Sequence, residues 1–490
     1  MTDAPRRTKI VATLGPSTAR PGVLDDVVRA GVDVVRVNFA HGDAAQHERA
    51  VACARAAATR AGRAVGVLVD LPGPKMRTGP IAGGETQLAA GAAFTLVARA
   101  VEGGSERAST TVDGLDEIVS PGDEIFLADG DIVLRVTSCA GGDVHTEVVR
   151  GGTLRSRKGM HVPAAEREVR GFTDDDARDL ARAVELGADL VGLSFVRDVR
   201  DVRRALAALP HDPGRPLVVA KIETRAALED LDAIVDAADA VMVARGDLGI
   251  HMPLARVPLL QKEIIRCCNR AGVPVVTATQ MLESMTRAPR PTRAEATDVA
   301  NAVVDGTDAV MLSEETAVGD RPADAVATMA EIARTAESWP SDHSTPATDR
   351  LDDDRVSWAV AHAAVEAAED LRVAAILCPT RTGATARRVA AFRPAVPVVG
   401  LCERADVAAA LALSWGVTPL VVPDAAAARD PSEESARAIA AARAAGAVPA
   451  GALVAVVAGT PGATRAGSTD YVRIARDDGV ATGAVNPGAG

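Results

Sequence analysis

Short apolar segments alternate with amphipathic segments along most of the chain. Eight runs rich in Val, Ile and Leu are typical of buried strands: KIVATL, VDVVRVNF, AVGVLVDL, ADLVGLSFV, PLVVAKIE, AVMVARGD, VPVVTATQ and DAVMLSEE. Segments such as VPLLQKEIIRCCNRAG and TRAEATDVANAVVDG lie between them and have the spacing of helices. Apolar strands separated by helices indicate a parallel sheet, and eight of them predict a (β/α)8 TIM barrel.

The alternation is interrupted twice, which predicts further domains. Between Asp70 and about Gly171, Gly-rich and Thr/Val-rich segments indicate antiparallel strands, hence a small β-barrel lid inserted after the third strand. After the polar segment 341–355 a new α/β rhythm begins, which predicts an open α/β domain. The predicted division is a catalytic barrel at 1–71 and 172–340, a lid at 72–171, a C-terminal regulatory domain at 356–476 and a flexible tail at 477–490.

Composition and charge narrow the possible partners. The 490 residues are 48% hydrophobic and 24% charged, with a net charge of -12. Such a chain offers no basic face for nucleic-acid phosphates, and no apolar run reaches the roughly 18 residues of a membrane span. We therefore expect a cytoplasmic protein without nucleic-acid or membrane partners, in which local cations hold any anionic substrate.

Polar residues follow the predicted barrel strands, where the active site of such a barrel lies. They are Arg36, Asn38, Asp70, Ser194, Arg197, Lys221, Glu223, Arg245, Asp247, Thr279, Gln280, Ser313 and Glu315. A set without a function would be scattered, so this concentration predicts a site at the strand ends.

Glu223 and Asp247 are the candidates for a metal site. Carboxylate oxygens suit Mg²⁺, which keeps its other positions for water and substrate phosphates. Lys221 lies two residues before Glu223, so on a strand both side chains point to the same face. Taken singly, each carboxylate could equally be an ion-pair partner. The ARGDLG segment around Asp247 could be only a turn, and Thr279 could be a residue whose hydroxyl satisfies local backbone groups.

Long motifs resemble those of the pyruvate kinase family: KIVATLGPST, VVRVNFAHGD, GPKMRTG, SFVR, AKIE, VMVARGDLG, TATQMLESM and PRPTRAEATDVANAVVDGTDAVMLSEETAVG. The resemblance runs from about residue 8 to residue 475. It implies transfer of the phosphoryl group of phosphoenolpyruvate to ADP, which gives ATP and an enolate that is protonated to pyruvate. The inserted β domain would close over the site and exclude water.

The resemblance also implies roles for individual residues. Lys221, Arg36 and Arg77 would stabilise the phosphoryl group, and Glu223 with Asp247 would bind Mg²⁺ or Mn²⁺. The carboxylate of the substrate would be bound by the amides of Gly246 and Asp247 and by the Thr279 hydroxyl, which would also help to deliver the proton. Further contacts implied are Asn38 and Ser194 for the substrate, and Pro16, His41, Arg36 and Asn38 for the nucleotide.

Lys75 is expected to replace the K⁺ that most members of this family need. Asn38 and Asp70 remain of the side chains implied for that ion, but Ala40 and Leu71 lack the hydroxyl oxygens. Members that do without K⁺ carry a lysine at the position of Lys75, and the chain has only five lysines among 54 basic residues. The other possibility is that Lys75 is a solvated loop residue.

Regulation and assembly are implied by the same resemblance. The segment PTRTGATARRVAAFRP, with Thr380, Thr382, Gly383 and Thr385, would form an effector loop for a sugar phosphate or AMP, although a plain Gly-rich turn is also possible. The family suggests a homotetramer. Glu314 and Ala128 depart from the family's usual residues without a physical account.

Two rival functions stay open at the level of sequence. One is a non-catalytic protein that senses phosphoenolpyruvate or nucleotide, and the other is a barrel enzyme that cleaves carbon–carbon bonds through a Mg²⁺-bound enolate. Release of pyruvate from phosphoenolpyruvate that depends on ADP distinguishes both from a kinase.

Overall fold

The computed structural model describes residues 5–74, 76–128, 130–164, 171–212, 214–339, 346, 355–423, 430–460 and 468–476. In these parts of the chain, each helix is too short or too polar to cross a membrane.

The chain begins with strands and helices in alternation. These elements are β1 (Lys9–Thr13), α1 (Val23–Ala30), β2 (Val34–Asn38), α2 (Ala44–Ala61) and β3 (Gly66–Asp70). The start of α2 follows from the sequence, because Asp43 and Gln46 cap each other's backbone amides.

An insert of mostly antiparallel strands follows β3, as the sequence predicts, with one parallel pair between Ala93–Val97 and Arg107–Ser109. Its elements are β4 (Glu85–Leu88), β5 (Ala93–Val97), β6 (Arg107–Ser109), α3 (Leu115–Ile118), β7 (Glu124–Leu127), β8 (Ile132–Ala140), β9 (Asp143–Arg150), β10 (Gly152–Arg155) and β11 (Met160–His161). One sheet has the order β11-β7-β8-β9-β5-β6, and β10 pairs with β4. A separate apolar cluster around Phe94, Leu96 and Ile125 gives this lid its own core.

After the lid the alternation resumes. The elements are α4 (Asp174–Glu185), β12 (Leu190–Leu193), α5 (Val199–Ala208), β13 (Leu217–Ile222), α6 (Arg225–Glu229), α7 (Leu231–Ala237), β14 (Ala240–Ala244), α8 (Arg245–His251), α9 (Val257–Ala271), β15 (Val275–Ala278), α10 (Arg293–Asp305), β16 (Ala309–Leu312), α11 (Glu314–Ala317) and α12 (Pro322–Ala336).

The eight predicted strands close into one barrel in the order β1-β16-β15-β14-β13-β12-β3-β2, and all pairs are parallel. The prediction of a (β/α)8 barrel with an inserted β domain is therefore confirmed. The exact domain boundaries stay predictions.

The C-terminal part forms an open sheet. Its elements are α13 (Arg355–Asp370), β17 (Ile376–Thr380), α14 (Ala384–Ala391), β18 (Val398–Cys402), α15 (Ala405–Leu411), β19 (Val417–Val421), α16 (Pro431–Ala444), β20 (Leu453–Ala458) and β21 (Tyr471–Arg476). The order is β19-β18-β17-β20-β21, with β21 antiparallel at one edge. The predicted tail at 477–490 lies outside the described residues.

An aspartate precedes every second strand of the barrel, at the end opposite to the predicted site. The carboxylates of Asp33, Asp189, Asp239 and Asp308 accept the N–H groups of Ile10, Val67, Val218 and Val275, at 2.9, 2.7, 2.9 and 2.9 Å. Each carboxylate also pairs with an arginine: Arg6 at 2.7 Å, Arg55 at 2.8 Å, Arg215 at 2.7 Å and Arg393 at 3.1 Å, in the same order. This end of the barrel, which we call its floor, thus contains four aspartate–arginine pairs, each of which accepts a backbone N–H group of a neighbouring strand.

The fourth arginine of this floor comes from the C-terminal domain. Arg393 also donates to the carbonyl of Gly306 at 2.8 Å, and its guanidinium lies 4.9 Å from the ring centroid of Trp415. The guanidinium of Arg7 lies 5.3 Å from the centroid of the same ring. Polar contacts therefore fasten the C-terminal domain to the barrel floor.

Apolar contacts extend the same interface into the barrel. Ala410, Ala412 and Leu413, at the end of α15, belong to the cluster of buried residues that fills the barrel interior. A Cβ atom on Gly66, at the start of β3, would lie 2.7 Å from the carbonyl oxygen of Ala409. The C-terminal domain therefore closes the bottom of the barrel.

We expect Arg393→Leu to destabilise the fold more than Arg215→Leu. The Arg393–Asp308 side chains are 8% and 9% exposed, whereas the Arg215–Asp239 side chains are 28% and 19% exposed. Removing one partner of a buried pair leaves an uncompensated charge and costs about 3–5 kcal/mol. Urea unfolding followed by tryptophan fluorescence measures the difference.

The double variant Arg393→Leu/Asp308→Asn is the matched control. Asparagine carries no charge and still accepts the Val275 N–H, so we expect it to restore part of the lost free energy of unfolding. Equal losses of unfolding free energy for Arg393→Leu and Arg215→Leu would contradict the prediction that the more deeply buried interdomain pair contributes more to stability.

Asp33 and Asp189 occupy equivalent positions in the barrel, but their pKa values are shifted in opposite directions. Burial raises the pKa of Asp189 from 3.8 to about 6, and the single arginine beside it does not offset this effect. Burial also raises the pKa of Asp33, but Arg6, Lys9 and Arg63 outweigh it and leave the pKa below 3.8. The difference follows from the number of cations around each carboxylate.

We expect the free energy of unfolding to carry both signatures. Because the folded state binds a proton at Asp189 more tightly than the unfolded state, this residue contributes stability below pH 3.8 that is lost as the pH rises to about 6. Asp189→Asn should remove this loss, which amounts to about 3 kcal/mol. Asp33→Asn should remove a contribution of the opposite sign, present above pH 3.8 and lost at lower pH. Unfolding curves between about pH 2 and pH 7 test both, and parallel profiles of the two variants would contradict the assignment.

Candidate active site

Lys221 lies at the centre of a polar cluster at the C-terminal ends of the barrel strands. Its ammonium Nζ is 2.7 Å from Ser194 Oγ, 3.3 Å from Asp70 Oδ2 and 2.9 Å from Glu223 Oε1. The side chains come from the ends of β3, β12 and β13, which are neighbours in the barrel. The structure thus brings together four residues that the sequence analysis selected separately.

Arg36 joins this cluster from the end of β2. Its Nε donates to Asp70 Oδ2 at 2.8 Å, and its Nη1 donates to Thr13 Oγ1 at 3.2 Å. The Thr13 hydroxyl in turn donates to the carbonyl of Leu312. One carboxylate oxygen of Asp70 therefore orients both cations of the site.

The charges of this cluster are maintained by mutual compensation. Burial is the largest influence on Lys221 and lowers its pKa, but Asp70 and Glu223 outweigh it, so the pKa stays above its ordinary value. Burial raises the pKa of Asp70, and Lys221 with Arg36 reverses the effect and lowers it. Lys221 is therefore a cation although it is only 8% exposed.

Glu223 is fully buried, and its two carboxylate oxygens contact different groups. Its Oε2 accepts the N–H of Phe195 at 2.7 Å. Oε1 faces Lys221 without hydrogen-bond geometry and has no hydrogen-bond partner within the described residues. Burial raises the pKa of this carboxyl, Lys221 lowers it, and the nearby Asp247 raises it again.

This arrangement suits a divalent cation. Two carboxylates close enough to repel each other, one with a buried oxygen that lacks a hydrogen bond, are stabilised by a metal ion between them. No group of three or more His, Cys, Asp or Glu side chains with metal-binding geometry occurs among the residues described. Glu223 and Asp247 would thus supply two ligands and leave the other positions to substrate oxygens and water.

Thr279 and Gly246 face each other at the neighbouring strand ends. The Gly246 amide donates to Thr279 Oγ1 at 2.9 Å, and that hydroxyl donates to the carbonyl of Ala278 at 2.6 Å. Thr279 and Gln280 have positive φ angles of 69° and 54°. Such angles cost non-glycine residues on the order of 1–3 kcal/mol each and persist where surrounding contacts impose them, often at functional sites.

The residues expected at the monovalent-cation site are engaged with protein groups. The side-chain oxygen Oδ1 of Asn38 accepts the N–H of Ala40 at 3.0 Å. The carbonyl of Leu71 accepts the Ser194 hydroxyl at 2.7 Å. Asp70 Oδ1 is buried and without a hydrogen-bond partner in the described chain. Of the side-chain oxygens expected to bind the monovalent cation, Asp70 Oδ1 is therefore the one that no protein group in the described chain donates to.

Other predicted residues lie apart from the cluster. Lys75 lies outside the described residues. Arg77 lies in the lid, where its guanidinium donates to the carbonyl of Arg157 at 3.2 Å and its amide donates to Thr111. Pro16 and His41 are exposed in the loops after β1 and β2. The structure therefore does not join Arg77 to Lys221, and it leaves the two nucleotide candidates at the rim.

A cleft separates the lid from the barrel beside this cluster. Phe126 and His161 line it from the lid, and Phe195, Arg197 and Asp247 line it from the barrel. The rings of His161 and His251 lie 3.9 Å apart across the cleft.

Two glycines lie near the two ends of the predicted lid, Gly73 and Gly171. At Gly73 a Cβ atom would lie 2.9 Å from the carbonyl oxygen of Ser194, and φ is 65°. At Gly171 it would lie 2.6 Å from the carbonyl oxygen of Phe195. The lid thus enters and leaves against the same loop.

The predicted effector loop is a compact turn before α14. Thr380 Oγ1 accepts the Gly383 amide at 2.9 Å, and Gly383 has a φ of 81°. Thr382 Oγ1 accepts the Ala384 amide at 3.4 Å. Thr385 Oγ1 lies 2.9 Å from Thr469 Oγ1. Thr469 belongs to the segment between β20 and β21, of which residues 461–467 lie outside the described chain.

Sequence reasoning missed three supports of the site. Thr13 looked like the apolar strand around it, the Phe195 amide is a backbone group, and Arg245 was noted without a role. A polar residue in the last position of a barrel strand, as Thr13 is, is a usable signal. The contact of the Phe195 amide needs coordinates.

Two family models match most of the chain. The family model described as pyruvate kinase, barrel domain, matches residues 5–326, and the one described as pyruvate kinase, alpha/beta domain, matches residues 358–475.

Similar proteins include pyruvate kinase 2 of Synechocystis, 43% identical over 424 residues, which are 86% of this chain and 71% of the relative. The pyruvate kinase of Geobacillus stearothermophilus is 41% identical over 480 residues, 96% of this chain and 80% of the relative. That of Corynebacterium glutamicum is 41% identical over 480 residues, 96% and 98% of the two chains. The chain therefore belongs to the pyruvate kinase family.

Proposed function

We propose that the Lys221 cluster transfers the phosphoryl group of phosphoenolpyruvate to ADP. The observation that carries this proposal is the buried, compensated ammonium of Lys221, 2.7 Å from Ser194 and held with Arg36 by a common carboxylate, Asp70. Phosphoryl transfer needs positioned charge more than covalent chemistry, and this cluster supplies two fixed cations. Membership of the family agrees with phosphoenolpyruvate and ADP as substrates.

In the proposed transfer, the bond between the bridging oxygen of phosphoenolpyruvate and phosphorus breaks, and phosphorus bonds to a terminal oxygen of ADP. Lys221 and Arg36, which share Asp70 Oδ2, would neutralise charge on the moving group. Mg²⁺ or Mn²⁺ held by Glu223 and Asp247 would supply further neutralisation of the phosphoryl and enolate oxygens.

The enolate left behind takes a proton at carbon 3 and becomes pyruvate. The Gly246 amide and the Thr279 hydroxyl lie side by side, and the carboxylate of the substrate would replace the hydrogen bonds that these two donors now make to Thr279 Oγ1 and to the carbonyl of Ala278. We assign to Thr279 a part in the delivery of this proton and to Gly246 and Asp247 the binding of the carboxylate. The Arg36–Asp70 contact favours phosphate binding over carbon–carbon cleavage, and the dependence of pyruvate release on ADP distinguishes a kinase from a sensor.

We further propose that the enzyme works without K⁺ and that Lys75 supplies the missing charge. Support comes from the absent hydroxyls at Ala40 and Leu71 and from the Asn38 oxygen, which accepts the Ala40 amide. An ammonium on a tether performs the same electrostatic function as a monovalent ion in that region.

Regulation, assembly and location are carried forward as proposals. The turn formed by Thr380, Thr382 and Gly383 would bind a phosphorylated effector, a sugar phosphate or AMP, at the start of α14.

Leu254 and Leu259 are 77% and 66% exposed, which agrees with a surface that subunits of a homotetramer would cover. We expect a cytoplasmic enzyme.

Lys221→Gln should lower kcat by about 100-fold or more and change the KM for phosphoenolpyruvate much less, because a preorganised charge acts mainly in the transition state. The measurement is the initial rate of ADP-dependent pyruvate formation with Mg²⁺. Lys262→Gln is the matched control, since Lys262 pairs with Asp305 away from the cluster. Equal effects of the two variants would contradict the role of Lys221.

Full activity is expected when K⁺ is replaced by a large organic cation. Lys75→Glu should make the rate depend on K⁺, while Lys158→Glu, an equal charge change elsewhere in the lid, should not. Initial rates of wild type and both variants in the two salts decide the matter. Wild-type activity only in K⁺ would overturn the assignment of Lys75 and leave the kinase assignment intact.

A further inference from the structure

The Arg245 side chain binds the backbone of Thr279 and of the residue before it. Its Nε donates to the carbonyl of Ala278 at 3.0 Å, and its Nη2 donates to the carbonyl of Thr279 at 2.5 Å. The arginine side chain is 12% exposed. Two consecutive carbonyls at the end of β15 are thus bound by one planar guanidinium.

The third nitrogen of the same guanidinium is anchored outside the barrel. Nη1 donates to Asp298 Oδ1 at 2.7 Å and to Gln261 Oε1 at 3.2 Å. Asp298 belongs to α10 and Gln261 to α9, so two helices fix the position of the fork. The planar fork of arginine reaches carbonyl and carboxylate partners together, which the single ammonium of lysine does not.

The loop that Arg245 holds has an unfavourable backbone conformation. Thr279 and Gln280 both have left-handed φ angles, and a β-branched residue such as Thr279 rarely adopts one. External contacts must therefore impose the conformation. Gly246, the residue after Arg245, also contacts this loop, because its amide donates to the Thr279 hydroxyl.

We propose that Arg245 is a positioning residue for proton transfer: it keeps Thr279 in the left-handed conformation that presents its hydroxyl beside the Gly246 amide. This inference rests on the proposed function, in which Thr279 takes part in protonating the enolate at carbon 3. Arg245 itself binds backbone and helix side chains, and its effect on the reaction passes through Thr279.

The experiment separates proton transfer from net turnover. Deuterium incorporation into the methyl group of pyruvate is followed by NMR in D₂O with Mg²⁺ and ATP, and phosphoenolpyruvate turnover with ADP is measured in parallel. The variants are Arg245→Gln, Arg245→Lys, Asp298→Asn and Thr279→Ala. Arg215→Gln is the matched control, because Arg215 forms an ion pair at the opposite end of the barrel, with Asp239 just before β14.

Arg245→Gln should lower the exchange rate at saturating pyruvate by about 10–100-fold, since a displacement of about 1 Å costs a positioned group that much. The KM for phosphoenolpyruvate should change by less than about threefold, because ground-state binding does not depend on Thr279 alone. Asp298→Asn should act in the same direction with a smaller loss, and Arg245→Lys should recover part of the rate. Arg215→Gln should leave exchange unchanged.

Gln280→Gly provides the test of mechanism. Gln280 is exposed, and glycine adopts positive φ without strain. If Arg245 acts by imposing the backbone conformation, Arg245→Gln/Gln280→Gly should recover at least about threefold of the lost exchange. A double variant as slow as Arg245→Gln would overturn the proposed route through the backbone.

The remaining outcomes distinguish this inference from the proposed function. Exchange that survives in Thr279→Ala would overturn the role of Thr279 and the inference with it. Exchange lost in Thr279→Ala but retained in Arg245→Gln would overturn the inference alone. Absence of pyruvate formation by the wild type would overturn the proposed function. Circular dichroism and thermal unfolding of each variant identify a loss of folding, and in that case Asp298→Asn decides in place of Arg245→Gln.

Discussion

Burying an ammonium group requires compensating carboxylates, and the mouth of this barrel is organised around that requirement. Lys221 is almost inaccessible, so Asp70 and Glu223 must approach it closely to keep it charged. Asp70 in turn stays ionised because Arg36 shares its oxygen. The same contacts that make burial tolerable also aim both cations at one place, where an anionic substrate would find them preorganised.

The opposite end of the barrel solves a related problem in a repeated form. Four aspartates bind backbone amides of neighbouring strands, and each needs an arginine as a counter-ion. Where cations are numerous, as around Asp33, the carboxyl is easily ionised. Where a single partly exposed arginine is present, as at Asp189, burial dominates. Local cation number, and not position in the fold, thus sets the direction in which the pKa of each carboxyl is shifted.

The barrel was predictable because its strands are apolar throughout and recur with helices between them. The Lys221 cluster was predictable because strand ends of a parallel barrel converge, so Arg36, Asp70 and Glu223 could be grouped before any distance was known. The repeated aspartates also leave a sequence signal, GVDVV, GADLV, AADAV and GTDAV, which was overlooked. A carboxylate directly before an apolar strand is easily taken for a loop residue.

The other contacts had no local signal. Arg393 reaches Asp308 across 85 residues, and nothing in its neighbours indicates the partner. The left-handed Thr279 contradicts the preference of a β-branched residue, because tertiary contacts from Arg245 outweigh that preference. The placement of Arg77 on a lid carbonyl depends on how the lid packs, which motifs do not report.

The residues Ala410, Ala412 and Leu413 have a consequence for how the chain folds. Each α/β unit has buried clusters of its own, but these three residues share one apolar cluster with the inner layer of the barrel. The inner layer of the barrel therefore completes its hydrophobic burial only with residues that follow its last strand by about 100 positions in the sequence. Full packing of the first barrel strands has to wait until α15 has been synthesised.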